Sequence, residues 1–137
     1  MHDAFSPDWT RAFADAVNAD DGYAAAGAAW RDGVALVCTA NGAAGFPQGA
    51  AVELDLADGR CHDARTPAVD AVTAPYVLSA PPATWRALLD GSLDAVGAVA
   101  LGKVKLVRGS LGVLMMHSQG ARALLACAAR VPTRWPE

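Results

Sequence analysis

Arg60-Cys61-His62-Asp63 gathers a guanidinium, a thiol, an imidazole and a carboxylate in consecutive residues, the raw material of a nucleophile with its base. The segment reads as a strand, however, and consecutive strand residues project to opposite faces, so Cys61 and His62 do not converge. The tetrad is read as an exposed edge strand. His2 is expected in a mobile tail, and His117, between Met116 and Ser118, as a helix-end residue facing water. Neither a carboxylate pair nor a His-x-x-x-His spacing accompanies His117, and the sequence holds no Gly-x-Ser-x-Gly elbow and no P-loop. Gly42-Ala43-Ala44-Gly45 falls in a hairpin loop with no helix after it, which argues against a phosphate cradle. Cys38, Cys61 and Cys127 are odd in number and lack metal-ligand spacing, so reduced thiols in a cytoplasmic setting are expected. The chain is therefore read as a non-enzyme with no catalytic residue, metal or cofactor, acting through apolar surface.

The 137 residues are 53% apolar and 18% charged, which fits a single folded domain over 1–137 and excludes a disordered or fibrous chain. Such a chain buries about two-thirds of its unfolded surface and needs no disulfide or metal staple. Its net charge of -3 is unevenly spread. Residues 1–63 carry ten acids and three bases, giving -7, whereas 64–137 carry eight bases and four acids, giving +4. No basic stripe with interleaved aromatics is present, so nucleic acid is not expected as a partner. The opening Met1-His2-Asp3-Ala4-Phe5 lacks the features of a secretory leader, and the uncharged stretch Gly33 to Val52 is broken by glycines and Pro47 as a hairpin would be.

The elements that must carry these residues follow from local patterns. Ser6-Pro7-Asp8 is a helix start, and Trp9, Phe13 and Val17 then share one face. Asn18 to Gly22 ends that helix, and a helical turn over 23–29 follows. Val34, Leu36 and Cys38 alternate as a strand; Asn41-Gly42 begins the turn; Val52, Leu54 and Leu56 alternate with Glu53 and Asp55 as a half-buried strand. Asp58-Gly59 turns the chain into the edge strand 60–65. Tyr76 to Ser79 is a fourth strand; Pro81-Pro82 starts a helix with Trp85, Leu88 and Leu89 on one side, ended by Gly91. Leu93, Val96, Val99 and Ala100 suit a short helix, and 102–108 a fifth strand with Val104 and Leu106 inward and Lys103 and Lys105 outward. Ser110 and Ser118 are each placed to cap a closing helix. The order predicts an α+β layer, one sheet with helices packed on one face.

The second half gathers large apolar groups on helical faces: Trp85, Leu88, Leu89, Leu93, Val96, Leu111, Leu114, Met115, Leu124 and Leu125. Each reads most simply as core. Together, on short helices jointed by glycines and with Met115 and Met116 beside them, they have the adaptability an apolar pocket requires.

The stretch from Trp85 through Gly91 to Asp94, with Gly102-Lys-Val-Lys-Leu-Val-Arg-Gly109 after it, resembles the sterol carrier protein 2 family. Ser110 stands where that family often has an acid or amide. The resemblance implies a mixed sheet of five strands in the order 3-2-1-4-5, with a hydrophobic tunnel between sheet and C-terminal helices. It implies non-covalent binding and transfer of a lipid, whether fatty acid, acyl-CoA, sterol-like or isoprenoid. The expected pocket residues are Trp85, Leu88, Leu89, Val96, Leu106, Leu111, Leu114, Met115, Leu124 and Leu125. Lys103, Lys105 and Arg108 are candidates for a headgroup or a transient membrane-surface contact, with Arg86 and Arg122 as further cations. The composition, rich in Ala and favouring Arg over Lys, resembles a bacterial protein. A second reading is an accessory or homodimerising module that supports a partner enzyme of lipid or quinone metabolism.

Overall fold

The computed structural model describes residues 1–40 and 46–136; the Asn41-Gly42 turn and the 42–45 loop lie outside them. Helix α1 (Pro7–Asn18) starts as its sequence dictates. The Ser6 hydroxyl accepts from the Trp9 N–H at 3.2 Å, Pro7 needs no intrahelical donor, and Asp8 sits in the first turn. Trp9, Phe13 and Val17 are all buried. Helix α2 (Asp21–Ala26) begins ahead of the expected 23–29 turn because the Asp20 carboxylate accepts from the Gly22 and Tyr23 N–H groups. The chain start is ordered by pairing, contrary to the mobile tail expected: β1 (His2–Asp3) lies parallel to β7 (Thr133–Arg134), and His2 N donates to Pro132 O at 2.9 Å.

Five strands form the main sheet: β2 (Val34–Cys38), β3 (Ala50–Ala57), β4 (Arg60–Arg65), β5 (Tyr76–Ala80) and β6 (Lys105–Arg108), in the order β4-β3-β2-β5-β6. Counting these strands along the chain gives 3-2-1-4-5. β2 and β5 are parallel; the other neighbours are antiparallel. Asp58 and Gly59 turn β3 into β4 with φ of 56° and 73°, the left-handed pair that a type I′ hairpin requires. Strand β6 starts at Lys105, later than the expected Gly102. The Lys103 and Val104 N–H groups bond back to Ala98 O at 2.9 and 3.2 Å and are spent on the preceding helix end.

Val34, Leu36 and Cys38 face the main core with the helices. The opposite face is also buried: Ala35, Val37, Ala51, Ala74 and Val77 form a second, smaller cluster. Residues 72–74, in the loop before β5, cover it. Glu53 lies there, 1% exposed, where alternation alone would turn it to water. Its carboxylate accepts from Thr73 N at 2.9 Å, Ala74 N at 2.8 Å and Arg65 Nε at 2.8 Å.

Four helices complete the layer: α3 (Pro82–Leu89), α4 (Ala95–Ala100), α5 (Leu111–Met116) and α6 (Ser118–Ala129). The Asp94 carboxylate caps α4 through the Gly97 N–H, which leaves Leu93 ahead of the helix. Ser110 caps α5. Ser118 does not cap α6 but is its first residue; His117 alone separates α5 from α6.

Candidate functional site

Between the sheet and the helices lies a cavity. Val34 and Leu36 of β2, Leu56 of β3 and Leu78 of β5 form its floor. Trp85 and Leu88 of α3, Val96 and Val99 of α4, Leu114 and Met115 of α5, and Leu124 and Leu125 of α6 form its walls, with Tyr23, Trp30, Val104 and His117 completing them. The space open to the centre of a water-sized sphere is about 70 Å³. A cavity of about 150 Å³ admits one benzene, so this one admits only a few carbon-sized groups as it stands.

Of the ten pocket residues named from sequence, Trp85, Leu88, Val96, Leu114, Met115, Leu124 and Leu125 border this space. Leu89, Leu106 and Leu111 do not. Leu89 is rotated about 100° from Leu88 around α3 and packs, half-buried, elsewhere on the core. Leu106 is half-buried on the edge strand opposite Leu78. Leu111, at the first position of α5, is 49% exposed.

The strand residues could have been found from sequence, since Val34, Leu36 and Leu56 alternate on one face. Trp30 and His117 carry no local signal. Their rings meet edge to face with centroids 5.2 Å apart, a contact made only when the segment after α2 and the α5–α6 junction come together. His117, read from sequence as facing water, is half-buried on the cavity wall.

The wall is polar at few points. Trp30 Nε1 donates to Asp32 O at 2.7 Å and Trp85 Nε1 to Val37 O at 2.9 Å, so both indoles offer the cavity carbon surface. Burial pushes the Tyr23 hydroxyl up to about 12, which keeps it neutral. Lys103 and Lys105 are exposed and lie off the cavity, as does Arg108, whose guanidinium donates to Ala74 O at 2.9 Å. Arg86 is also exposed. Arg122 pairs with Asp94 at 3.1 Å and so ties α6 to the start of α4.

The Cys61–His62 pair does not form a site. Cys61 is buried under α1, where Asn18 brackets its backbone N–H and carbonyl at 2.8 and 2.9 Å, and His62 is exposed with Nε2 3.1 Å from Ala57 O. The burial of Cys61 departs from the exposed strand expected and follows from the contact of α1 with β4. Burial pushes the thiol of Cys61 up to about 11 and those of Cys38 and Cys127 up to about 12, which suppresses the nucleophilic thiolate. Among the described residues no cluster of His, Cys, Asp and Glu is arranged to hold a metal, and no helix is long and apolar enough to cross a membrane.

Neither a scan of family models nor a search of curated proteins gave a match. Solved structures did. A crystal structure of sterol carrier protein 2 superposes with a TM-score of 0.90 at 32% identity, covering 94% of this chain and 99% of that one. A conserved hypothetical protein from Thermus thermophilus superposes with a TM-score of 0.89 at 31% identity, covering 96% and 92%. Sterol carrier protein 2 from Yarrowia lipolytica, in its apo form, shares the fold at a TM-score of 0.58 and 14% identity over 93% and 98%. With nearly the whole of both chains aligned at more than 30% identity, and with the sheet order and helix layer described above, this chain belongs to the sterol carrier protein 2 family.

Proposed function

We propose that this protein binds the hydrocarbon part of a lipid in the cavity between its sheet and helices, without covalent chemistry, and carries it between lipid surfaces. The observation that carries the reading is the wall itself: two indoles with their N–H groups internally bonded, aliphatic side chains around them, and no Asp, Glu, Lys or Arg among the described lining residues. Such a surface stabilises alkyl groups and repels exposed charge.

The energetics set a requirement. A few methylenes fit the cavity as it stands and contribute about 2–4 kcal/mol at ~0.8 kcal/mol each. A micromolar complex needs about 8 kcal/mol net, and the cost of ordering the ligand must be met as well. A lipid with ten or more buried methylenes therefore requires the wall to give way. Helices α4 and α5, six residues each, are the elements suited to this. Gly102 and Gly109, both with positive φ, flank the segment between them.

The outer side of the same wall supplies a loading surface. α5 has no polar side chain, and Leu111, Val113 and Met116 are 49%, 38% and 83% exposed; Leu101 beside α4 is 73% exposed. From 95 to 136 the chain holds six bases and no acid. Exposed apolar groups set among cations such as Lys103, Lys105 and Arg108 suit transient contact with an anionic bilayer.

The test is titration with a fluorescent long-chain fatty acid. Wild type is expected to bind one equivalent at micromolar Kd. Leu125→Trp, which fills the cavity from a half-buried wall position, is expected to weaken binding by roughly tenfold or more while circular dichroism stays unchanged. A wild-type protein that takes up no probe would remove the proposal.

A further inference from the structure

The cavity wall offers a ligand's polar end little to bond with. Both indole N–H groups are spent on backbone carbonyls, which leaves the Tyr23 hydroxyl and the His117 ring as the polar side-chain groups of the lining. His117 is different. The residue is part of the cavity lining, its ring stands edge-on to Trp30 at 5.2 Å, and its nitrogens are neither bonded to a described residue nor fully buried. The backbone holds it firmly. His117 N donates to Leu114 O at 3.1 Å and Val113 O at 3.2 Å, and its carbonyl accepts from Ala121 N at 3.1 Å, so the residue locks the end of α5 to the start of α6. A polar ring is thus fixed on a wall that is mostly apolar.

We infer that His117 is the polar anchor of the cavity, donating an imidazole N–H to the carboxylate of a bound fatty acid whose chain runs over Leu114, Leu124 and Trp85. The inference rests on the lipid-binding reading above and names the ligand class within it. A carboxylate is favoured over a neutral headgroup for two reasons. An N–H bond to an ionised oxygen is charge-assisted and about twice as strong as a neutral one. In addition, the segment from 95 to 136 carries no acid, and the carboxylates that reach these helices from elsewhere, Asp94 and Asp20, are paired with Arg122 and Arg130 at 3.1 and 3.3 Å.

The experiment compares decanoic acid with 1-decanol, ligands of equal chain length that differ in charge, by titration calorimetry at neutral pH. Wild type is expected to favour the acid by about tenfold. His117→Phe keeps a ring against Trp30 and removes both nitrogens; the ratio of the two affinities, in which any general effect of altering the wall cancels, is expected to fall to about one. As a check that needs no variant, the His117 ring nitrogen resonances of the wild-type protein should move on addition of the acid and not of the alcohol. Equal affinity of wild type for both ligands, a preference retained in His117→Phe, or unmoved ring resonances would each overturn the anchor while leaving the cavity reading standing. Failure of wild type to bind either ligand would overturn both.

Discussion

The Glu53 carboxylate sits out of water on the face of β3 that residues 72–74 cover. Burial by itself opposes its ionisation, yet the N–H groups of Thr73 and Ala74 and the Arg65 guanidinium outweigh that cost and hold the carboxyl below its ordinary range. Arg65 in turn bonds Asp55 at 3.0 Å and Asp63 at 3.2 Å, so one buried acid organises an edge strand and a loop together. Because the folded-state value is lowered, the stabilisation is complete above the unfolded value of about 4.3 and is lost as pH falls from there through the folded value. Glu53→Ala is expected to cost about 2–3 kcal/mol in urea unfolding, since it leaves the Thr73 and Ala74 N–H groups without their acceptor while Arg65 keeps Asp55 and Asp63. Glu53→Gln should flatten the decline of Tm between pH 6 and pH 3 relative to wild type; parallel profiles would show that the carboxylate is not the anchor. Alternation identified β3 but assigned Glu53 to water, because the cover over that face comes from a loop with no periodicity of its own.

At the scale of elements, the joints between helices and strands differ in what they tolerate. Gly91 ends α3 at φ +86° with open space around it, whereas Gly109, between β6 and α5 at φ +115°, would place an added Cβ 2.5 Å from the Tyr76 ring. That ring stands edge-on to Trp30 at 4.7 Å, one contact away from the cavity. Gly91→Ala is expected to cost about 1–2 kcal/mol from backbone conformation alone and to leave lipid binding intact. Gly109→Ala should lower Tm further and weaken fatty acid binding, since Tyr76 and then Trp30 must shift. Equal losses of Tm in the two variants, with binding unaffected in both, would contradict the link from the β6–α5 joint to the cavity. Such elements were legible where a signal was local: the Ser6-Pro7 start of α1, the Asp58-Gly59 hairpin, the Ser110 cap. They were misjudged where bonding was longer in range. β6 begins late because two of its expected N–H groups turn back to α4, and β1 exists only because the far end of the chain lies beside it.

For the whole molecule, the charge division seen in sequence is partly closed by ion pairs, Arg130 with Asp20 at 3.3 Å and Arg134 with Asp3 at 3.4 Å, while Lys103, Lys105 and Arg108 stay outside the described pairs. The acid-free segment 95–136 forms part of the cavity wall and also exposes the apolar outer side of α5. Flotation with vesicles of phosphatidylcholine containing phosphatidylglycerol should therefore recover the protein, less so as salt rises because the cationic contribution is screened. Met116→Glu, at a position that is 83% exposed, should reduce recovery several-fold without changing Tm or the affinity for a soluble fatty acid. A protein that stays unbound yet forms a dimer broken by Met116→Glu would assign the same face to a second copy of the chain.

By itself the sequence determined much of the repertoire: the helices and strands with local start and turn signals, the apolar side of α1 and of β2, and the lack of a recognised catalytic motif. These properties depend on backbone conformation and on residues a few positions apart. Only the tertiary structure decided what each apolar side faces. It buried Glu53, brought His117 against Trp30, turned Leu111 outward, and left a space between sheet and helices. A cavity is the volume that distant surfaces fail to fill when they pack, so no local pattern encodes it; it arises from the register and spacing of the assembled layers.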